Sequence, residues 1–355
     1  MTMLSIQKPE DLIPEDHPLR LIKELADAVL WELNRTFNAM YSKKGRPSVP
    51  PERLLKASLL MAFYSIRSER LFCEQLGYNM LFRWFLDMDM AENTFDHSVF
   101  SQNRRRLLDH DVAGKFFTEV VEKAREARLM SDEHFTVDGT LIEAWASLKS
   151  FRPKGEKPSD PPDDPGNPTV NFHGEKRSNQ THESTTDPQA RLARKGRGKE
   201  AKLSYSQNVL MENRNGLMVD VLITQADGFA ERRTALEMLD RSVPGTKRIT
   251  LAGDRGYDTA DFIEACRERR VTPHIAANTK RAGGSALDAR TFRHAGYKVS
   301  QVIRKRVEEI FGWTKTVGGF RKTRYKGTER NQSAAYMVGA AYNLLRIARL
   351  IHAPA

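Results

Sequence analysis

The hydrophobic periodicity of this chain changes once, near Met130, and that change constrains the fold more than any composition figure. Before it, from residue 16 to 130, apolar residues recur at three and four spacing in Leu19 to Phe37, Pro51 to Ser65, Glu69 to Leu76, Met80 to Leu86 and Val112 to Ala127. Side chains at that spacing share one helix face, and no alternating run interrupts them, so residues 1–130 are expected to form an all-helical domain. After Met130 the pattern becomes β-rich. HFTVDGT meets a second apolar run, LIEAWAS, and KLSYSQNVLMENRNGLMVDVLITQA holds two alternating runs around Asn213 to Gly216, the pattern of a hairpin with Asn-Gly at its tip. A helix over Ala230 to Leu239 follows, then a buried strand of Ile249, Leu251 and Ala252 in KRITLAGDRGYD, a helix from Thr259 to Arg269 and a short strand in VTPHIAA. Strands that precede helices predict an α/β domain over 131–350. Val299 to Lys315 and Ala334 to Leu350 read as helices again.

One stretch of the second part breaks this order. Lys149 to Lys202 is poor in apolar residues and holds seven of the sixteen prolines. It is expected to be an irregular, basic insertion that orders against DNA or a partner.

At 355 residues and 39% hydrophobic, the chain can bury one large core or two modest ones. Its formal net charge of +11 comes from Lys and Arg spread along the whole length, which suits a polyanionic partner. Three local features point the same way. KKGRP, with Lys43, Lys44 and Arg46, is a basic, extended arm able to lie along a groove or phosphate backbone. FSQNRRRLL puts Arg104, Arg105 and Arg106 on a short helix. SERLFCEQLGYNMLFRWFLDM has a helix, a break at Gly77 to Asn79 and a second helix, the arrangement of a helix-turn-helix, though plain bundles contain such hairpins too. The first eighteen residues are broken by acids and prolines, and no later run is apolar for the length of a membrane span, so neither secretion nor insertion is expected. Cys73 and Cys266 are far apart and lack His clusters at zinc spacing, which argues against a disulfide framework and a thiolate metal site and fits a reducing cytoplasm.

The acids carry the chemistry. Phosphoryl transfer by two metal ions needs a few carboxylates converging from separate elements, because hard Mg²⁺ prefers oxygen ligands and must keep positions open for water and phosphate. Asp138 sits inside a strand, between Val137 and Gly139, where a purely structural acid is desolvated without evident gain. Asp254 stands where a buried strand meets a loop, the usual place for a site in an α/β sheet. A turn-forming or capping role is the plain alternative for each. The third acid lies in SQVIRKRVEEIFGWTKT. At about 100° per residue, Ile303, Val307, Ile310, Phe311 and Thr314 form one stripe, with Arg304, Glu308 and Lys315 along its edge. Glu309 points further from that stripe, so helical geometry favours Glu308, although the edge also suits a surface salt-bridge ladder.

These blocks resemble the DDE transposases of bacterial insertion sequences, and specifically the group called family five. The first acid stands in VDGTLIEAWAS and the second in GDRGYD. The third falls in a signature of Tyr, two residues, Arg, three residues, Glu, six residues, Lys, which Arg304, Glu308 and Lys315 fit. STTDPQARLARKGRGKEAKLSY, VLMENRNGLMVDV, RYKGTERNQSAAYMVGAAYNLLRIARL and the N-terminal RPSVPPERLLKASLLMAFYSIRSERLFCEQL are similar to the corresponding stretches, in the same order. Two positions depart from the pattern. Gln301 replaces the signature tyrosine, and Asn208 stands where relatives often carry histidine.

The resemblance implies a ribonuclease H-like mixed five-stranded sheet with flanking helices, preceded by a helical domain that binds DNA and dimerises. It implies two Mg²⁺ ions, or Mn²⁺ in their place, on Asp138, Asp254 and Glu308, and double-stranded DNA as partner, both the transposon ends and the target. Arg304 and Lys315 are expected on phosphates. Nine Lys or Arg against three acids among residues 301–330, Arg321, Lys322 and Arg324 among them, mark a DNA-facing surface. A homodimer on DNA in a bacterial cytoplasm, associated with the nucleoid, completes the expectation. The alternatives are a decayed transposase that only occupies its ends and a structure-specific nuclease on the same core.

Overall fold

The computed structural model describes residues 8–41, 48–155, 171–172, 175–196, 198–228, 230–243, 245, 247–280 and 283–352, with the backbone alone for 171–172 and 175–176. The basic arm with Lys43, Lys44 and Arg46 lies outside these residues. Contacts divide the chain into two units: the described residues of Met1–Met130, Trp313–Gly319 and Tyr336–Ala355, and those of Ser131–Gly312 and Phe320–Ala335. The segments 313–319 and 336–350, assigned from periodicity to the α/β part, therefore group with the N-terminal helices.

The first unit contains α1 (Leu19–Glu32), α2 (Asn34–Met40), α3 (Pro51–Phe63), α4 (Glu69–Tyr78), α5 (Met80–Phe85), α6 (Ser98–Asp109) and α7 (Val112–Glu126). Leu19, Ile22, Ala26 and Val29 of α1 are buried, as are Phe116, Val120 and Ala124 of α7, and the two helices pack together. Three and four spacing thus makes a real apolar stripe on each. Inside the unit, Arg83 is 2% exposed and its guanidinium donates to Leu76 O at 3.2 Å, Asp89 O at 2.7 Å, Met90 O at 3.1 Å and Glu92 O. One buried cation thereby organises the loop after α5, as its several donors require.

At the expected helix-turn-helix the break is shorter than Gly77 to Asn79. The break between α4 and α5 is the single residue Asn79, whose side chain caps α5 by accepting from Phe82 N at 3.2 Å. α5 has six residues, of which Phe82, Arg83, Trp84 and Phe85 are buried, so it has no long exposed face to lay in a groove.

The second unit is built on a sheet. Its strands are β1 (His134–Glu143), β2 (Phe151–Pro153), β3 (Asn171–Phe172), β4 (Glu175–Lys176), β5 (His182–Ser184), β6 (Arg191–Ala193), β7 (Lys202–Glu212), β8 (Met218–Gln225), β9 (Ile249–Gly253) and β10 (Val271–Ile275). β10, β9, β1 and β7 lie side by side in that order, and β8 and β6 pair different parts of β7. β1 runs antiparallel to β7 and β7 to β8, while β9 is parallel to β1 and β10 to β9. Three antiparallel strands followed by two parallel to the first, in the order β8-β7-β1-β9-β10, form the ribonuclease H-like fold, here with β6 as a sixth strand.

Helices cover this sheet. α8 (Ala230–Ser242) lies against β1, β7 and β8, and α9 (Ala260–Glu268) lies against β10. α10 (Ala289–Arg293), α11 (Ala295–Ile303), α12 (Val307–Lys315) and α13 (Thr328–His352) follow. Among the described residues no helix is long and apolar enough to cross a membrane.

The described residues of the insertion are more regular than expected. β2 pairs β5, β3 pairs β4, and β6 joins the main sheet. The reason is a buried polar node: Asp187, 1% exposed, accepts from Tyr205 Oη at 2.8 and 2.7 Å and from Gly327 N at 3.2 Å. Few apolar residues are needed to order a segment anchored in this way.

Candidate active site

The parallel pairing of β1 with β9 sets His134 opposite Thr250, Phe135 opposite Leu251 and Thr136 opposite Ala252. Continued two residues, that register puts Asp138 beside Asp254. Partners in a parallel register point to the same face, and neighbouring strands are about 4.8 Å apart. Asp138 is half-buried, and its Oδ1 accepts from Gly139 N at 2.8 Å. Asp254 directly follows β9 and caps the 3₁₀ turn Arg255–Tyr257, accepting from Gly256 N at 2.7 Å. The capping role considered for Asp254 is thus real, and it orients the carboxylate at the strand end.

The carboxyl of Asp138 is pushed up to about 7. Burial is the main cause, the Gly139 N–H works against it, and the charges of Asp254, Glu308 and Glu231 raise it further. Glu308 is exposed on α12 and is one of the acids whose charge reaches Asp138. The helix expected over Val299 to Lys315 is interrupted by a 3₁₀ turn at Arg304–Arg306. The stripe Val307, Ile310, Phe311 and Thr314 is buried, but Ile303 ends α11 and Arg304 opens the turn. A tighter turn rotates what precedes it, so a continuous 100° wheel does not relate Arg304 to Glu308.

Glu231 was missed from the sequence. It lies in the first turn of α8, half-buried, its carboxyl raised chiefly by burial and then by Asp254. A Cβ on Gly139 would stand 2.9 Å from Glu231 Oε1 and 3.1 Å from Asn208 Oδ1, so this acid reaches the strand that carries Asp138. The only sequence signal was an acid opening a helix, which also suits the helix dipole. Beneath the carboxylates Tyr257 is 1% exposed and its hydroxyl lacks a partner. Burial raises its pKa, followed by the charges of Glu231, Asp138 and Asp254.

The two departures from the signature have structural roles. Gln301 Nε2 donates to His274 O at 2.6 Å on the outer strand β10, and its Oε1 accepts from Arg304 Nε at 3.0 Å. Gln301 therefore both covers a strand edge and holds the signature arginine. Asn208 is fully buried opposite Gly139, donating to Leu222 O at 3.3 Å and Thr224 Oγ1 at 3.2 Å.

The other cations expected on DNA are scattered. Arg321 and Lys322 are exposed, and Arg321–Thr323 runs beside the end of β1, with Glu143 N donating to Arg321 O at 3.1 Å. Arg324 stacks over the Tyr325 ring at 5.1 Å. Lys315 ends α12 and groups with the first unit. In that unit Arg104 bridges Glu69 at 2.6 Å, Arg105 bridges Asp109 at 2.8 Å, and Arg106 lies 4.5 Å over the Tyr41 ring. Among the described residues no three His, Cys, Asp or Glu side chains are gathered closely enough to hold an ion.

Two family models match this chain: Transposase domain (DUF772) over residues 7–106 and Transposase DDE domain over residues 169–344. The chain belongs to the DDE transposases. The second match contains Asp254 and Glu308, while Asp138 precedes it. Among solved structures, this transposase is similar to the piggyBac transposase synaptic complex with hairpin DNA, at 11% identity and a TM-score of 0.41, over 94% of this chain and 75% of that one. It is also similar to the Mos1 transposase paired-end complex with left transposon end, at 11% identity and a TM-score of 0.21, over 87% and 80%. The Mos1 mariner paired end complex with Mn is 12% identical, with a TM-score of 0.21, over 86% and 79%.

Proposed function

We propose that this transposase binds the terminal inverted repeats of an insertion sequence and, at Asp138, Asp254 and Glu308, cuts DNA strands and joins them to a target. The observation that supports this most is the parallel register that aligns the two aspartates on neighbouring strands, with Glu308 in electrostatic reach. The donors are all carboxylate oxygens, which hard divalent cations prefer, and the concentration of negative charge around a half-buried Asp138 suits a cation. When bound there, two Mg²⁺ ions, or Mn²⁺ in their place, polarise the attacking and leaving oxygens of an in-line displacement. Asp138 and Asp254 would supply ligands from the sheet and Glu308 from α12. Arg304, held by Gln301, orients a phosphate next to the site. Lys315, Arg321, Lys322 and Arg324, with Arg104 to Arg106 and the arm of Lys43, Lys44 and Arg46, neutralise DNA backbone elsewhere. Paired ends require two subunits, so the working form is a homodimer on DNA at the bacterial nucleoid.

The test is nicking of a labelled terminal-repeat duplex under Mg²⁺ titration. Asp138→Asn, Asp254→Asn and Glu308→Gln should each reduce nicking to background while retaining binding, and Glu309→Gln should remain active. An active Glu308→Gln together with a dead Glu309→Gln would overturn the third ligand. Salt-sensitive binding without cutting by the wild type would make the protein a DNA binder only. Sedimentation equilibrium on end DNA should give two chains per complex, and a one-to-one complex would count against the dimer.

A further inference from the structure

The second unit also holds a cavity of about 980 Å³ that the carboxylate site does not use. It is lined by Thr250 near the start of β9 and by Val271 to His274 along β10, with Arg248 and Arg270 just before those strands, whereas Asp254 follows the far end of β9. From Arg248 to Asp254 along β9 is about 20 Å and from His134 to Asp138 along β1 about 13 Å, at roughly 3.3 Å per residue. The cationic end of the cavity is therefore set apart from the acids by that spacing.

Its wall is strongly cationic. Arg214 comes from the β7–β8 turn, Arg248 from the lead into β9, Arg267 and Arg270 from the end of α9 and the turn after it, and Arg290 from α10. Glu133 and Asp288 are the acids on that wall, and Asp288 is bridged by Arg267 at 3.1 Å. Five guanidinium groups from separate segments thus face two carboxylates. Arg270 is held at φ 58°, the left-handed position after a helix where glycine is favoured, so an arginine stands there against a backbone preference. Guanidinium forks match phosphate oxygens two at a time. The aromatic rings of the wall are His134, His274 and His294, with His274 buried, and five guanidinium groups outnumber them, which favours a sugar-phosphate backbone.

We infer that this cavity grips the backbone of duplex DNA about four to six base pairs from the phosphodiester presented to Asp138 and Asp254, since a duplex rises about 3.4 Å per base pair. The inference rests on the DNA-processing function proposed above and adds a second anchoring point to it.

The test uses the full chain with Arg248→Ala/Arg290→Ala, two exposed arginines outside the catalytic machinery, and with Arg248→Lys/Arg290→Lys as a charge-preserving control. Binding of a fluorescent duplex is followed against salt concentration, and melting temperatures verify folding. The alanine variant should lower the slope of log affinity against log salt by about 2, roughly one for each phosphate no longer neutralised, and the lysine control should restore most of it. An unchanged slope for a folded alanine variant overturns the inference. So does dATP binding, by titration calorimetry, that vanishes in that variant while the slope stays the same, because the cavity would then be a nucleotide site. Failure of the underlying function is recognised separately: the wild type would then show neither salt-dependent DNA binding nor Mg²⁺-dependent nicking.

Discussion

A Cβ on Gly139 would press on the carboxylate of Glu231 and the amide of Asn208. Asn208, on one side of it, is bonded into β8 and cannot retreat, so an added methyl must displace Glu231. Gly139→Ala should therefore cost about 1 kcal/mol in urea denaturation, the low end of overpacking because the closest atom ends a flexible side chain, and Gly139→Ala/Glu231→Ala should recover most of the loss. Absence of recovery would make Asn208 the obstacle. His274, 4% exposed, is a second sensitive residue. Its ring bonds Ser300 Oγ at 2.8 Å, and burial, then His294 and His134, lowers its pKa from 6.5 to about 4. The unfolded chain takes up this proton near pH 6.5 and the folded chain only near 4. This contribution to stability is therefore complete above pH 6.5 and is lost as pH falls toward 4, by up to roughly 3 kcal/mol. Urea midpoints of His274→Gln should fall less steeply over that window, and parallel pH profiles would remove His274 as the source.

Between elements, single polar groups do the joining. The Tyr205 hydroxyl on β7 donates to buried Asp187 before β6 and accepts from Gly327 N at 3.1 Å at the start of α13. Tyr205→Phe leaves that carboxylate with the weaker Gly327 N–H, so a loss of about 2–3 kcal/mol is expected. It should appear in equilibrium unfolding together with faster proteolysis within 177–193; an unchanged midpoint would mean that apolar contacts alone order the segment. Elements also mark where periodicity stops being informative. The strands around Asn213 to Gly216 and the helix after Asp227 follow from alternation and from capping, since Asp227 Oδ1 accepts Ala230 N at 2.7 Å. The 3₁₀ turn at Arg304–Arg306 does not, because its residues are ordinary helix formers and the bend depends on what α11 and α12 each bury.

At the scale of the whole molecule, a net charge of +11 makes affinity for a polyanion easy and says little about catalysis. A divalent cation separates the two. If the acids hold it in the folded chain alone, Mg²⁺ at a hundred times its Kd should stabilise the protein by about 2.7 kcal/mol, seen as a rise in Tm that Asp138→Asn/Asp254→Asn abolishes. An equal rise in that variant would locate the ion elsewhere.

The sequence by itself determined the change of regime at Met130, the Asn-Gly hairpin, the buried strand ending in Asp254 and the basic composition, because each depends on residues near one another in the chain. Tertiary structure alone decided that Asp138 and Asp254 align, since a parallel register between strands 116 residues apart is set by packing of both faces and not by either segment's pattern. It also decided that Glu231 reaches the same strand from α8, that the charge of Glu308 reaches Asp138, and that most of α5 is buried. Each of these joins distant segments, and local periodicity holds no record of which distant segment will cover a given face.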